Sequence, residues 1–253
     1  MTGSQLSSRR SRDDNPSPDR VQPHSMGTRL PHVLTALAVA LLVGTIFGPA
    51  LQVMGERFLG YQDVDAFGTQ WFYWYVGTFL GDGRALGHTD LFFFPFGKDI
   101  YRHTGFNIMD ALVALPFLRV LGPVPGYNAF CVFAMLLNGA AAWKLLTHVV
   151  DREEMLSGGA GAGSRVACLV GTALYALNPF LLSELLEGRA TQVFQPFVPL
   201  FFLFLFRQAD DAPAEQGPLW PRWKDAIFAS LCLSITAVTY WFYGLFCGVA
   251  AIV

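Results

Sequence analysis

The sequence predicts an all-α integral membrane protein with about five transmembrane helices and two interfacial helices in a long first external loop, on three observations. Charged residues make up 14% of the chain and apolar residues 53%, where soluble domains carry roughly 25% charge. Mean hydropathy is +0.40. Long uncharged runs recur, the first being the 22 residues from Val33 to Met54. A net charge of −2 leaves no concentrated basic face, so nucleic acid is not an expected partner. Cys131, Cys168, Cys232 and Cys247 lie far apart in apolar stretches and read as small buried hydrophobes, not as a disulfide framework or a metal site.

Residues 1–28 are polar, with Arg9, Arg10, Arg12 and Arg20 and almost no large aliphatics, and so lack the apolar surface needed to order themselves. Ser11, Arg12, Asp13 and Asp14 are the wrong sequel to Arg9-Arg10 for a twin-arginine signal, and the apolar run starts too late. Val33–Met54 is long enough to cross a hydrocarbon core of about 30 Å and too long for a signal-peptide core. It is read as a retained first span, with the arginine-bearing tail in the cytoplasm. Residues 29–253 then form the membrane domain. An external loop over 55–127 is followed by spans near 128–146, 166–186, 191–206 and 226–253.

The topology turns on Phe106–Leu121. If that stretch crosses, the basic residues divide seven inside against ten outside. If it lies along the surface, the five arginines up to Arg29 join Lys144, Arg152, Arg165, Arg207, Arg222 and Lys224, giving eleven inside against six outside. The positive-inside rule selects the second arrangement. The stretch is also short, contains Asp110 and Arg119, and is interrupted by Pro116, which suits an interfacial helix.

The external loop gathers Asp63, Asp65, Asp82, Asp90 and Asp99. Asp63 and Asp65 precede an aromatic run, Phe67–Leu80, in which Phe72, Val76, Phe79 and Leu80 share one helical face. Asp65 has two readings: a functional carboxylate, or an N-cap of that helix. Asp110, an acid among apolar residues, is either functional or the cap of its own helix. Trp71–Tyr75 and Tyr240–Tyr243 suit a membrane interface without any ligand. Asn178-Pro179 and Pro196/Pro199 are expected to kink spans, and Asn138 to hydrogen-bond a neighbouring helix.

As an ordered series, the acidic motif, Trp71–Tyr75, Thr89-Asp90-Leu91-Phe92-Phe93-Phe94-Pro95-Phe96-Gly97, Tyr127-Asn128, Gly188-Arg189-Ala190-Thr191-Gln192 and Thr239–Tyr243 resembles bacterial multi-span proteins of the C-type superfamily of membrane glycosyltransferases. The resemblance implies transfer of a sugar from a polyprenyl-phosphate donor to an envelope acceptor, on the outer face of a bacterial cytoplasmic membrane. It implies a carboxylate beside the acceptor hydroxyl, as general base or as ligand to an optional divalent cation, Mg or Mn. Asp63 and Asp65 are the candidates for both jobs, with Asp65 favoured as the base. It also implies positive charge near the departing phosphate. Arg189, Arg102, His103 and Lys98 are candidates there, and Asp90 is a second carboxylate for the acceptor. Membrane lipids are further expected partners; no protein partner is indicated.

The rival reading is non-catalytic: a transporter or assembly subunit for envelope polysaccharide. Acids clustered in an external loop, with no internal repeat, favour the enzyme over a transporter with ionisable groups at the bilayer midplane. Because the sequence stops at Val253 within an apolar run, it reads as the front portion of a longer protein, or as an inactive truncated fragment.

Overall fold

The computed structural model describes residues 29–61, 64–84, 86–101, 107–157, 162–210 and 219–252. The tail expected to be disordered lies outside these residues, as do Asp63, Arg102 and His103. The chain is mostly helical: α1 Arg29–Leu51, α2 Val64–Gly81, α3 Met109–Leu121, α4 Pro123–Ser157, α5 Ala162–Ala176, α6 Pro179–Leu186, α7 Ala190–Val193, α8 Phe197–Asp210, α9 Leu219–Thr239 and α10 Trp241–Ile252. One two-stranded antiparallel hairpin, β1 His88–Thr89 with β2 Lys98–Asp99, separates α2 from α3.

Among the described residues, three helical stretches are long and apolar enough to cross a membrane: Pro123–Leu156, Ser164–Leu186 and Ala190–Asp210. Two of these are not continuous helices. The span expected at 166–186 ends at Ala176, and α6 starts afresh where the Asn178 side chain accepts from the Leu181 N–H at 2.9 Å, with Pro179 in the first turn. The span expected at 191–206 is divided between α7 and α8. Backbone freed by such a break has no water to bond inside a bilayer and must find protein partners. Buried Asn138 supplies them, donating to the Val193 carbonyl at 2.7 Å and accepting from the Gln195 N–H at 3.0 Å. Tyr175 donates to the Gln195 carbonyl at 3.0 Å. The segment expected to cross as one helix over 226–253 is likewise two helices, because the chain turns at Tyr240 and brings Gly244 against Ala237, where a Cβ would lie 2.8 Å from the Ala237 Cα. Pro116, expected to interrupt its helix, lies inside α3 without ending it. A proline there forfeits one N–H but leaves the turns on either side intact.

The bundle has two chemically different ends. At one, Arg152 and His148 meet Asp210 at 2.8 and 3.2 Å, Arg165 meets Asp151 at 2.7 Å, and Arg207 approaches Asp225 at 3.7 Å. At the other, the chain leaving α1 is stapled by Asn128, whose buried amide donates to the Met54 and Arg57 carbonyls at 2.7 Å and accepts from the Leu59 N–H at 2.8 Å. There Tyr61 donates to the Leu186 carbonyl, and Ile108 to the Val238 carbonyl. α2 and α3 run parallel at this end: Tyr73 reaches Asp110, Gly77 abuts Leu115 and Gly81 faces Arg119. The larger apolar core lies here, with Tyr73, Val76, Ala111, Ala114, Tyr127 and Phe130 all within 1% of full burial.

Asn138→Leu leaves the Val193 carbonyl and the Gln195 N–H without partners in apolar surroundings and is expected to cost about 3 kcal/mol. Ser234→Ala, which removes an exposed bond to the carbonyl one turn back, is expected to be near neutral. Thermal unfolding in detergent separates the two variants.

Candidate functional site

One face of α2 carries Asp65, Thr69 and Tyr73 at successive helical turns. Each meets a polar partner far away in sequence. The Asp65 carboxylate accepts from the Arg189 guanidinium at 2.6 Å, the Thr69 hydroxyl donates to the Gly188 carbonyl at 2.8 Å, and the Tyr73 hydroxyl donates to Asp110 Oδ2 at 2.7 Å. Thr191, two residues after Arg189, donates to the same Asp110 oxygen at 2.6 Å. The turn 187–191 is thus laid along α2. Gly188 permits it, with φ of +75° and a position at which any Cβ would strike Ala66.

Arg189 also reaches Glu184 at 3.3 Å, so one guanidinium bridges two carboxylates. Their exposures differ: the side chain of Asp65 is 49% exposed, that of Arg189 38% and that of Glu184 9%. The Asp65–Arg189 contact is open to solvent; Glu184 anchors the arginine from the buried side. Bonding to Asp65 is the main influence raising the Arg189 pKa further, so its charge is permanent.

Asp110 is different in kind. It has no exposed surface, and its Oδ1 is without a hydrogen-bond partner among the described residues. Burial raises its pKa from the ordinary 3.8 to about 6, against the opposing effect of the bonds from Thr191 and Tyr73. Burial also pushes the Tyr73 hydroxyl well above its ordinary range, so it remains a donor. The capping readings of both acids are corrected. The N-cap of α3 is Ile108, with no side-chain cap bond, and Asp110 lies in the first turn bonded to α2 and α7. Asp65 lies inside the first turn of α2 and bonds Arg189.

Asp63, Arg102 and His103 fall outside the described residues. Asp90 is exposed beyond β1, with no hydrogen bond or ion pair among the described residues. Lys98 lies over the Phe92 ring, 5.1 Å from its centroid. No contact brings Asp90 or Lys98 to Arg189. Of the expected Asp63/Asp65 cation pair only Asp65 is described, and it bonds Arg189; among the described residues no three His, Cys, Asp or Glu side chains gather. Glu184 was not singled out by sequence, although an acid within an apolar stretch is itself a signal. The pairing of Thr191 and Tyr73 with Asp110 has no such signal.

Beside this seam, α2 and α3 enclose a mostly apolar groove of about 380 Å³, lined in part by Gln70, Tyr73, Trp74, Gly77, Leu115 and Arg119. Tyr73 is shared between the groove and Asp110.

Together these features define a mostly helical protein with membrane-length apolar helices and a polar cluster at one end of its bundle. No family model, curated protein or solved structure matches the chain.

Between 3.8 and about 6, Asp110 is protonated in the folded protein and ionised in the unfolded chain, so stability from this group falls as pH rises across that window. Asp110→Asn keeps an acceptor for Tyr73 and Thr191 and is expected to flatten the thermal midpoint across that window. Asp110→Ala strands both hydroxyls and is expected to cost about 2 kcal/mol relative to wild type at the acid end of that window. Thermal melts of the three proteins in detergent at a series of pH values test this.

Proposed function

We propose that the chain is a membrane glycosyltransferase-like protein that moves a sugar from a polyprenyl-phosphate donor to an envelope acceptor. The observation that carries this reading is the half-exposed Asp65 carboxylate held 2.6 Å from a permanently charged arginine. Such a pair holds the two groups the reaction needs: a carboxylate to accept the proton of the attacking hydroxyl, and a cation to stabilise the departing lipid phosphate. The acceptor hydroxyl displaces Arg189 from one carboxylate oxygen. The guanidinium keeps its hold on Glu184 and turns its free N–H groups to the phosphate. The Gln70 end of the groove is little more than one helical turn from Asp65, so an isoprenoid tail lying along α2 presents its phosphate near Arg189.

In this proposal the chain crosses the membrane five times, with α2 and α3 at the outer interface. Lys144, Arg152, Arg165 and Arg207 belong to the end of the bundle opposite Asp65, which the positive-inside rule assigns to the cytoplasm together with the N-terminal tail.

The test is transfer from a radiolabelled polyprenyl-phosphate sugar in membrane vesicles. Asp65→Asn is expected to lower transfer by about a hundredfold or more, in the range for loss of a general base, without changing membrane insertion. Wild-type transfer by that variant would refute the assignment. One observation favours a transport role instead: the interruptions at Asn178 and between Val193 and Phe197 resemble the discontinuous spans of transporters. Flux of a lipid-linked saccharide across liposomes without any glycosylated product would decide for it.

A further inference from the structure

The connection between β1 and β2 is a hairpin with an apolar tip. Its base is fixed: His88 pairs with Asp99 and Thr89 with Lys98, Ile100 donates to the Gly87 carbonyl at 2.8 Å, and Tyr75 of α2 donates to the Leu86 carbonyl at 2.9 Å. A Cβ at Gly97 would strike the His88 ring and the Thr89 carbonyl, so the return strand closes tightly there. Phe92 turns inward onto Trp71, ring centroids 4.4 Å apart. The tip points the other way. Leu91 is 52% exposed, Phe93 71%, Phe94 81% and Phe96 87%. From Leu91 to Phe96 no side chain carries a hydrogen-bonding group.

The geometry points to this tip as a finger that inserts into the membrane leaflet at the end of the bundle bearing Asp65. Three features choose lipid over water or a protein partner. A chain with membrane-length helices has a leaflet within reach of this hairpin, which is anchored on α2 through Trp71 and Tyr75. Part of the tip's backbone is prepared to leave water: the Leu91 N–H bonds the Thr89 hydroxyl, those of Phe96 and Gly97 bond the Phe93 carbonyl, and Pro95 has none. Finally, Lys98 stands at the base of the tip over the Phe92 and Phe93 rings, at 5.1 and 5.9 Å, placing an ammonium where lipid phosphates lie once the phenyl rings are seated. Exposed to water, the same aromatic cluster would be an aggregation surface. The finger braces the start of the α2–α3 region against the bilayer, and this role is independent of sugar transfer.

The experiment places a polarity-sensitive NBD probe on Phe94→Cys in the full chain. The four native cysteines are buried, so the introduced thiol is the reactive one. Phe96→Cys is the second variant should the first not insert. The control is Glu153→Cys, exposed near the Arg152–Asp210 pair at the opposite end. In liposomes of phosphatidylethanolamine and phosphatidylglycerol, the probe at 94 is expected to emit blue-shifted light. Its quenching by lipids nitroxide-labelled near the headgroup should be several-fold stronger than at 153, with weak quenching by aqueous iodide. Water-like emission with strong iodide quenching at both 94 and 96 would overturn the proposal. Protection from iodide and lipid nitroxides alike would overturn it too, since the tip would then be covered by protein.

Discussion

A carboxylate with no exposed surface must find donors or give up its charge, and Asp110 does some of each. Two hydroxyls converge on one of its oxygens, from Tyr73 on α2 and Thr191 on α7, while burial holds its pKa near 6. Three segments far apart in sequence are drawn together by this one group. Around it the α2 face continues through Thr69 to Gly188 and through Asp65 to Arg189. The exposed ion pair therefore inherits its position from a buried hydrogen-bonded centre.

The same economy governs the broken helices. An interrupted span is tolerable only where side chains take over the hydrogen bonds that the helix gives up. Asn138 does this between α7 and α8, Asn178 restarts the chain at α6, and Asn128 closes the turn after α1. Each asparagine offers both a donor and an acceptor, which suits a break that frees a carbonyl and an N–H together. The turn 187–191 is fixed because the helices on either side of it end where these residues dictate.

Much of this was legible in the sequence. The membrane class followed from charge content, α2 from the spacing of Phe72, Val76 and Phe79, and the hydrogen-bonding role of Asn138 from an amide within an apolar run. Asp65 and Arg189 were both singled out, but for separate jobs, since nothing in a sequence relates two residues 124 positions apart. Asp110 was noticed and read as a possible cap because local spacing allows that; its partners come from tertiary packing that spacing does not encode. Asn178 and Pro196 were expected to bend helices that they in fact help to end. Pro116 was expected to interrupt a helix that continues past it, held by packing against α2 and α4.

The whole arrangement rests on the turn carrying Arg189 lying against the start of α2. Asp65→Cys and Arg189→Cys, combined in one chain and treated with a short bismaleimide in intact membranes, test it directly. An intramolecular cross-link between residues 65 and 189, identified by mass spectrometry after proteolysis, is the expected result. Full labelling of both thiols with no cross-linked peptide would contradict it.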